Sequence, residues 1–101
     1  MISDVIRKGS FYQTHDQNNK KINEVHESRV GELVGFNSNY MVFLKGSFYV
    51  TYDEKFKKIN EVHESRVGVF KNTAGDTMNF LKGSYIVTYD ENFKKISDRH
   101  I

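Results

Sequence analysis

Three stretches of this chain match one another position by position. They are GSFYQTHDQNNKKINEVH from Gly9, GSFYVTYDEKFKKINEVH from Gly46 and GSYIVTYDENFKKISDRH from Gly83. From 9 to 46 and from 46 to 83 the step is 37 residues. A fixed period of this size restricts the fold to copies of one supersecondary unit, because one unit alone cannot bury its apolar face and its neighbours must cover it. The match also runs upstream of the glycines: ISDVIRK at Ile2 aligns with NYMVFLK at Asn39 and DTMNFLK at Asp76. The sequence therefore divides into units 9–45, 46–82 and 83–101, with 2–8 as part of a preceding unit, and residues 1–101 read as one repeat domain.

One segment is copied without change. KKINEVHESRVG occupies 20–31 and again 57–68. Packing enforces similarity at apolar positions but not identity at Lys, Asn, Glu and Ser, which are usually solvated. Identity there reads first as a recent duplication and second as a repeated surface in use.

Within a unit, FYVTY at Phe48–Tyr52 is β-branched and aromatic and predicts a strand. DEKF is an Asp-led turn, and KKINEVH is the returning strand, with a bulge or short turn near Asn60. RVGVFKN from Arg66 reads as a third strand, TAGD as a turn, and TMNFL from Thr77 as a fourth strand. The fold class is all-β: an antiparallel up-and-down meander of four-strand repeats, forming a small barrel or sandwich or a propeller-like fragment. The aromatic share of 14% beside a hydrophobic share of only 38% suits thin sheet packing. The expected core is Phe48, Val50, Tyr52, Ile59, Phe80, Tyr85, Val87, Tyr89 and Ile96, with Ile6 and Phe43 equivalent to Phe80. Gln13 and His15 replace Val50 and Tyr52 in the first unit, which puts its hairpin at a rim or an interface.

YVTYDEKFKKI and YIVTYDENFKKI resemble the hairpins of YD repeats in large bacterial shell proteins, through Tyr52, Asp53, Tyr89 and Asp90. The resemblance covers only the hairpin of each unit. It departs at the turn, where Phe56 and Phe93 stand in place of the usual glycine, and we draw no family from it.

Chemistry is sparse. Cysteine is absent, which excludes disulfides and thiolate metal or redox sites. No phosphate-binding glycine loop, nucleophile elbow or His-Glu-x-x-His pattern occurs. Glu24, His26 and Ser28, repeated as Glu61, His63 and Ser65, alternate along one strand and could be neighbours, but a triad needs a buried, oriented base. His26, His63 and His100 share one repeat position; the expectation is three copied surface residues and no metal. Lysines recur too: Lys8, Lys45 and Lys82 precede the glycines, and Lys57, Lys58, Lys94 and Lys95 open the returning strands. With Tyr12 and Tyr49 nearby, these lysines form a candidate stripe for nucleic acid or another polyanion. A net charge of only +2 gives no overall bias toward such a partner.

The reading is a non-catalytic β-repeat module, with no cofactor, that self-associates through its sheet edges, as a dimer. The alternative is a polyanion binder using the lysine stripe. No apolar run approaches the ~20 residues of a membrane helix, and a cytoplasmic location is expected.

Overall fold

A computed structural model describes residues 1–101 and contains eleven strands and two single helical turns. The first sheet holds β1 (Asp4–Lys8), β2 (Phe11–His15) and β3 (Lys21–His26). The turn α1 (Glu27–Val30) leads to the second sheet: β4 (Glu32–Phe36), β5 (Met41–Lys45), β6 (Phe48–Tyr52) and β7 (Lys58–His63). The turn α2 (Glu64–Val67) leads to the third: β8 (Val69–Ala74), β9 (Thr77–Lys82), β10 (Tyr85–Tyr89) and β11 (Lys95–His100). Every pairing is antiparallel and joins consecutive strands, so the chain is all-β and each sheet is an open meander.

The chain does not close as a barrel. β1 pairs only with β2 and β11 only with β10, and the middle sheet stands between them. The sheets change at Gly31 and Gly68, so they keep the period of the sequence but not the phase counted from Gly9.

The strand expected from Arg66 begins three residues later, because ESRV folds as a helical turn. His63 lies before that turn and its Nδ1 accepts the Ser65 N–H at 3.1 Å. Glu64 sits in the first turn, where a carboxylate suits the helix dipole. Gly68 ends it at φ 89°, and its equivalent Gly31 ends α1 at φ 87°. A Cβ at Gly31 would lie 2.5 Å from the Leu44 carbonyl oxygen, so only glycine lets the chain pass so close to β5. The bulge expected near Asn60 is at Ile59, where the register steps from Thr51–Asn60 to Tyr52–Lys58.

The three sheets stack face to face. Val5, Tyr12 and Val25 of the first pack on Met41, Phe43, Val50 and Tyr52 of the second. The opposite face of the second, with Val42, Tyr49 and Val62, packs on Met78, Phe80, Val87 and Tyr89 of the third. The middle sheet is therefore buried on both sides, which is why Tyr49 and Thr51 are as buried as Val50 and Tyr52.

Val50, Tyr52, Phe80, Val87 and Tyr89 are buried as expected. Phe48 and Tyr85 are not: they lie at the hairpin ends of β6 and β10, 42% and 47% exposed. Ile96, on the edge strand β11, is 56% exposed, and Ile59 is half-buried. Ile6 is 37% exposed although Phe43 and Phe80 are fully buried, because the face it occupies has no sheet against it.

Phe56 and Phe93 adopt φ of 60° and 59°, left-handed values that cost a residue with a Cβ about 1–2 kcal/mol. Their rings are buried beside Phe43 and Phe80, and that burial offsets the strain.

Hydrogen bonds cross each interface at the same repeat position. Thr14 Oγ1 donates to the Glu54 carbonyl at 2.8 Å and Thr51 Oγ1 to the Glu91 carbonyl at 2.7 Å. Asn23 Nδ2 reaches the Lys55 carbonyl and Asn60 Nδ2 the Asn92 carbonyl, each at 2.9 Å.

The two outward faces are different in kind. Where the second sheet has Met41, Val50, Tyr52 and Phe56, the first has Asp4, Gln13, His15 and Asn19. Where the second has Tyr40, Val42 and Val62, the third has Thr77, Asn79 and Arg99. Thr88, equivalent to Thr51, donates to Asn79 Oδ1 of its own sheet at 2.6 Å. Polar outer faces of this sort keep a stacked array in solution.

Candidate functional site

The Lys-Gly-Ser turns set a constant strand register, and that register builds a row of three residues across each sheet. Lys8 lies opposite Phe11, which lies opposite His26. Lys45, Phe48 and His63 repeat the row in the second sheet, and Lys82, Tyr85 and His100 in the third. Directly opposite side chains on one face of an antiparallel pair touch. The aromatic and histidine rings meet edge to face, with centroids 5.2, 5.2 and 5.1 Å apart. Phe11, Phe48 and Tyr85 remain 40%, 42% and 47% exposed, so each keeps ring surface for a ligand. Stacked sheets lie about 10 Å apart, which sets the interval between rows.

The row is anchored from behind. Lys45 Nζ donates to the Arg29 carbonyl at 3.0 Å, and Lys82 Nζ to the Arg66 carbonyl at 2.7 Å. Those carbonyls end α1 and α2, where a cation is favoured. The bonds hold these two ammonium groups at the turn carbonyls without neutralising their charge.

A cleft runs from the row along β6 and β7. It is lined by Lys45, Phe48, Val50, Tyr52, Lys58 and Glu61, with a volume of about 340 Å³. Its counterpart in the third sheet is lined by Lys82, Tyr85, Val87, Tyr89, Lys95 and Asp98, with about 450 Å³. Each contains an ion pair, Lys58–Glu61 or Lys95–Asp98. The carboxylate bonded to each ammonium raises that lysine's pKa. Burial raises the pKa of the Tyr52 hydroxyl, against the pull of Lys58 and Arg29. In the first sheet the corresponding space is occupied: Gln13 Nε2 donates to Glu24 Oε1 at 3.2 Å, and His15 Nε2 lies 3.1 Å from Gln13 Oε1.

The candidate lysines thus separate into groups. Lys45 and Lys58 meet in one cleft and Lys82 and Lys95 in the other, while Lys8 belongs to the row of the first sheet. Lys57 lies instead in a polar depression with Asp53 and Glu54. Lys94 is exposed at the turn before β11 and is in neither cleft. Tyr12 and Tyr49 are not part of the stripe, being buried between sheets, where each hydroxyl accepts a backbone N–H from the next sheet. The exposed rings are Phe11, Phe48 and Tyr85, one residue earlier in each strand or at the equivalent position. The register of the turn is the signal that finds them: a two-residue Gly-Ser turn places the lysine before it opposite the aromatic after it.

The Glu-His-Ser constellation comes only partly together. Ser28 Oγ lies 2.8 Å from His26 Nδ1, and Ser65 Oγ is 2.8 Å from His63 Nδ1. The carboxylates are engaged elsewhere: Glu24 bonds Lys21 at 2.7 Å, which lowers its pKa, and Glu61 pairs with Lys58. The His-Ser contact is a helix cap. His26, His63 and His100 stand on three separate sheets, each against its own aromatic ring, and no group of three His, Asp or Glu side chains has metal-binding geometry. No helix is long and apolar enough to cross a membrane.

No protein-family model matches this chain, and no curated protein sequence matches it.

Proposed function

We propose that the protein is a non-catalytic binding module for an extended polyanion. The observation behind this reading is the Lys–aromatic–His row, present at the same register position in all three sheets. A lysine paired across the hairpin with an exposed ring offers charge to a backbone phosphate or sulfate, and the ring offers a flat surface for stacking. Repetition at about 10 Å suits a linear polymer, since successive units engage successive rows with little added ordering. The modest net charge is no obstacle, because the rows concentrate the lysines locally.

The test is binding to heparin and to an oligothymidylate, followed by fluorescence anisotropy from about 50 to about 200 mM salt. Three phosphate contacts on a single strand give a log–log slope of about −2, at roughly 0.7 per contact. Joint replacement of Lys8, Lys45 and Lys82 by alanine should abolish the slope. No binding of either polymer at the lowest salt would refute the module.

A second reading is self-association through a sheet edge, and one observation favours it. β11 is exposed at every residue, with its outer backbone groups unpaired by any neighbouring strand. A second copy adding a strand there would form a dimer. Sedimentation velocity across a hundredfold concentration range tests it, and a constant monomer mass would exclude it.

A further inference from the structure

The two clefts beneath the rows are more specific than a charged stripe. Each has an apolar floor of Val50 or Val87, a tyrosine at one end, and an exposed ring with a lysine at the other. Their volumes, about 340 and 450 Å³, fall in the range of small-ligand clefts. The same six positions line both, so the resemblance is one of construction. A sulfated sugar polymer would meet the lysines through its sulfates and set a puckered C–H face on the ring, but it has no flat ring to fill the slot over the apolar floor. A polymer that carries both an anionic backbone and flat, uncharged rings would use all of them.

Resting on the polyanion reading above, we propose that each cleft holds one nucleotide unit of a single-stranded nucleic acid. The base lies against Phe48 or Tyr85, and the phosphate on its backbone meets Lys45 or Lys82. The Lys58–Glu61 and Lys95–Asp98 pairs form the far wall, where Glu61 and Asp98 accept hydrogen bonds from the edge of a base. The first sheet does not contribute a nucleotide site, because the Gln13–Glu24–His15 network fills the corresponding space. Its row supplies the charge of Lys8 and the open face of Phe11, without a cleft to hold a base. The chain therefore has two base sites and three phosphate contacts.

The experiment uses the intact chain and two probes, an oligothymidylate and heparin, with the aromatic ring resonances followed by NMR. The expected result is that oligothymidylate shifts the rings of Phe48 and Tyr85 more than that of Phe11. Phe48→Ala and Tyr85→Ala should each weaken oligothymidylate binding by roughly 5- to 150-fold, the usual value of one stacked base. Phe11→Ala, whose ring borders no cleft, should weaken it less than either, and heparin binding should change less than oligothymidylate binding in all three variants. These rings are exposed, so the variants fold, and circular dichroism confirms that. If oligothymidylate and heparin bind alike and no ring substitution matters, the nucleotide clefts are refuted and the polyanion module stands. If Phe11→Ala weakens binding as much as the other two, the assignment of two sites is refuted. If neither polymer binds, both readings fall.

Discussion

Phe43→Ala, Phe80→Ala and Ile6→Ala change three residues that occupy one repeat position, yet they should not cost the same. Phe80 is fully buried and central: its ring meets Tyr49 at 5.0 Å, Phe70 at 5.5 Å and Tyr89 at 5.6 Å, all near edge to face. Phe43 has similar surroundings one sheet earlier, with Tyr12 at 5.1 Å and Tyr52 at 5.6 Å, and Leu33 at the position of Phe70. Removing a buried phenylalanine costs about 3–5 kcal/mol. Several edge-to-face pairs, each adding roughly 0.5–1.5 kcal/mol, place both sites at the upper end. The rings around each cavity are held by strand pairing and cannot collapse far into it. Ile6 is 37% exposed on the uncovered face of the first sheet, and its truncation should cost less than about 1 kcal/mol. Urea unfolding monitored by circular dichroism gives the three values, compared as midpoints at constant m. Equal costs at 6, 43 and 80 would refute the stacking order, because they would require the outer face of the first sheet to be covered.

Three other predictions follow from single residues. Burial pushes the Tyr40 hydroxyl up to about 12, and that hydroxyl donates to the Asp76 carbonyl at 3.1 Å. Below pH about 10 both states keep the proton and stability is complete; above it the unfolded chain ionises first, so about 2–3 kcal/mol is lost between pH 10 and 12. Tyr40→Phe should remove that part of the alkaline loss in a pH series of urea melts. Gly68→Ala should cost at least about 2–3 kcal/mol, combining left-handed strain with overlap of the Leu81 carbonyl, and a near-neutral melt would show that the turn can shift. Phe93→Gly should be destabilising by about 2–4 kcal/mol, because relief of about 1 kcal/mol of backbone strain is smaller than the loss of a buried ring.

The strands were legible in the sequence because alternation and turn residues report local geometry directly. FYVTY and YIVTY became β6 and β10, and the Ile59 bulge lies where three-residue spacing disturbs the alternation. What could not be read was which neighbour each face would meet. Phe48 and Ile96 are as apolar as Val50 and Val87, and their exposure depends on where the adjacent sheet ends. The turn at ESRV was missed because its signal is a histidine acting as a cap, an uncommon choice beside Ser, Thr, Asp and Asn. Of the candidate site, the lysines were visible as a periodic feature. Their aromatic partners were not, since pairing across a hairpin is a matter of register rather than adjacency.

The verbatim copy has a physical reason that solvation arguments overlook. Asn23 and Asn60 are polar but bond to a backbone carbonyl of the next sheet, and His26 and His63 cap the turns that lead to it. Val25 and Val62 close the interface, and Gly31 and Gly68 allow the chain past a neighbouring strand. Each residue carries out the same task toward the sheet that follows, so the two copies are held alike by contact as well as by descent. The third stretch, KKISDRH, departs at the positions whose task is contact with a following sheet. Ser97 stands for Asn60 and Arg99 for Val62, and Asn79 replaces Val42 and takes the hydroxyl of Thr88. The residues of the Lys–aromatic–His row do not follow that pattern. Lys82 and His100 persist in the third sheet, and Tyr85 keeps an exposed aromatic where Phe48 stands in the second. The bonds of Lys45 and Lys82 to the preceding turns account for those lysines, whereas the exposed faces of Phe48 and Tyr85 meet no sheet. On the binding reading proposed above, the row, rather than either outer face, is the surface that a partner would meet.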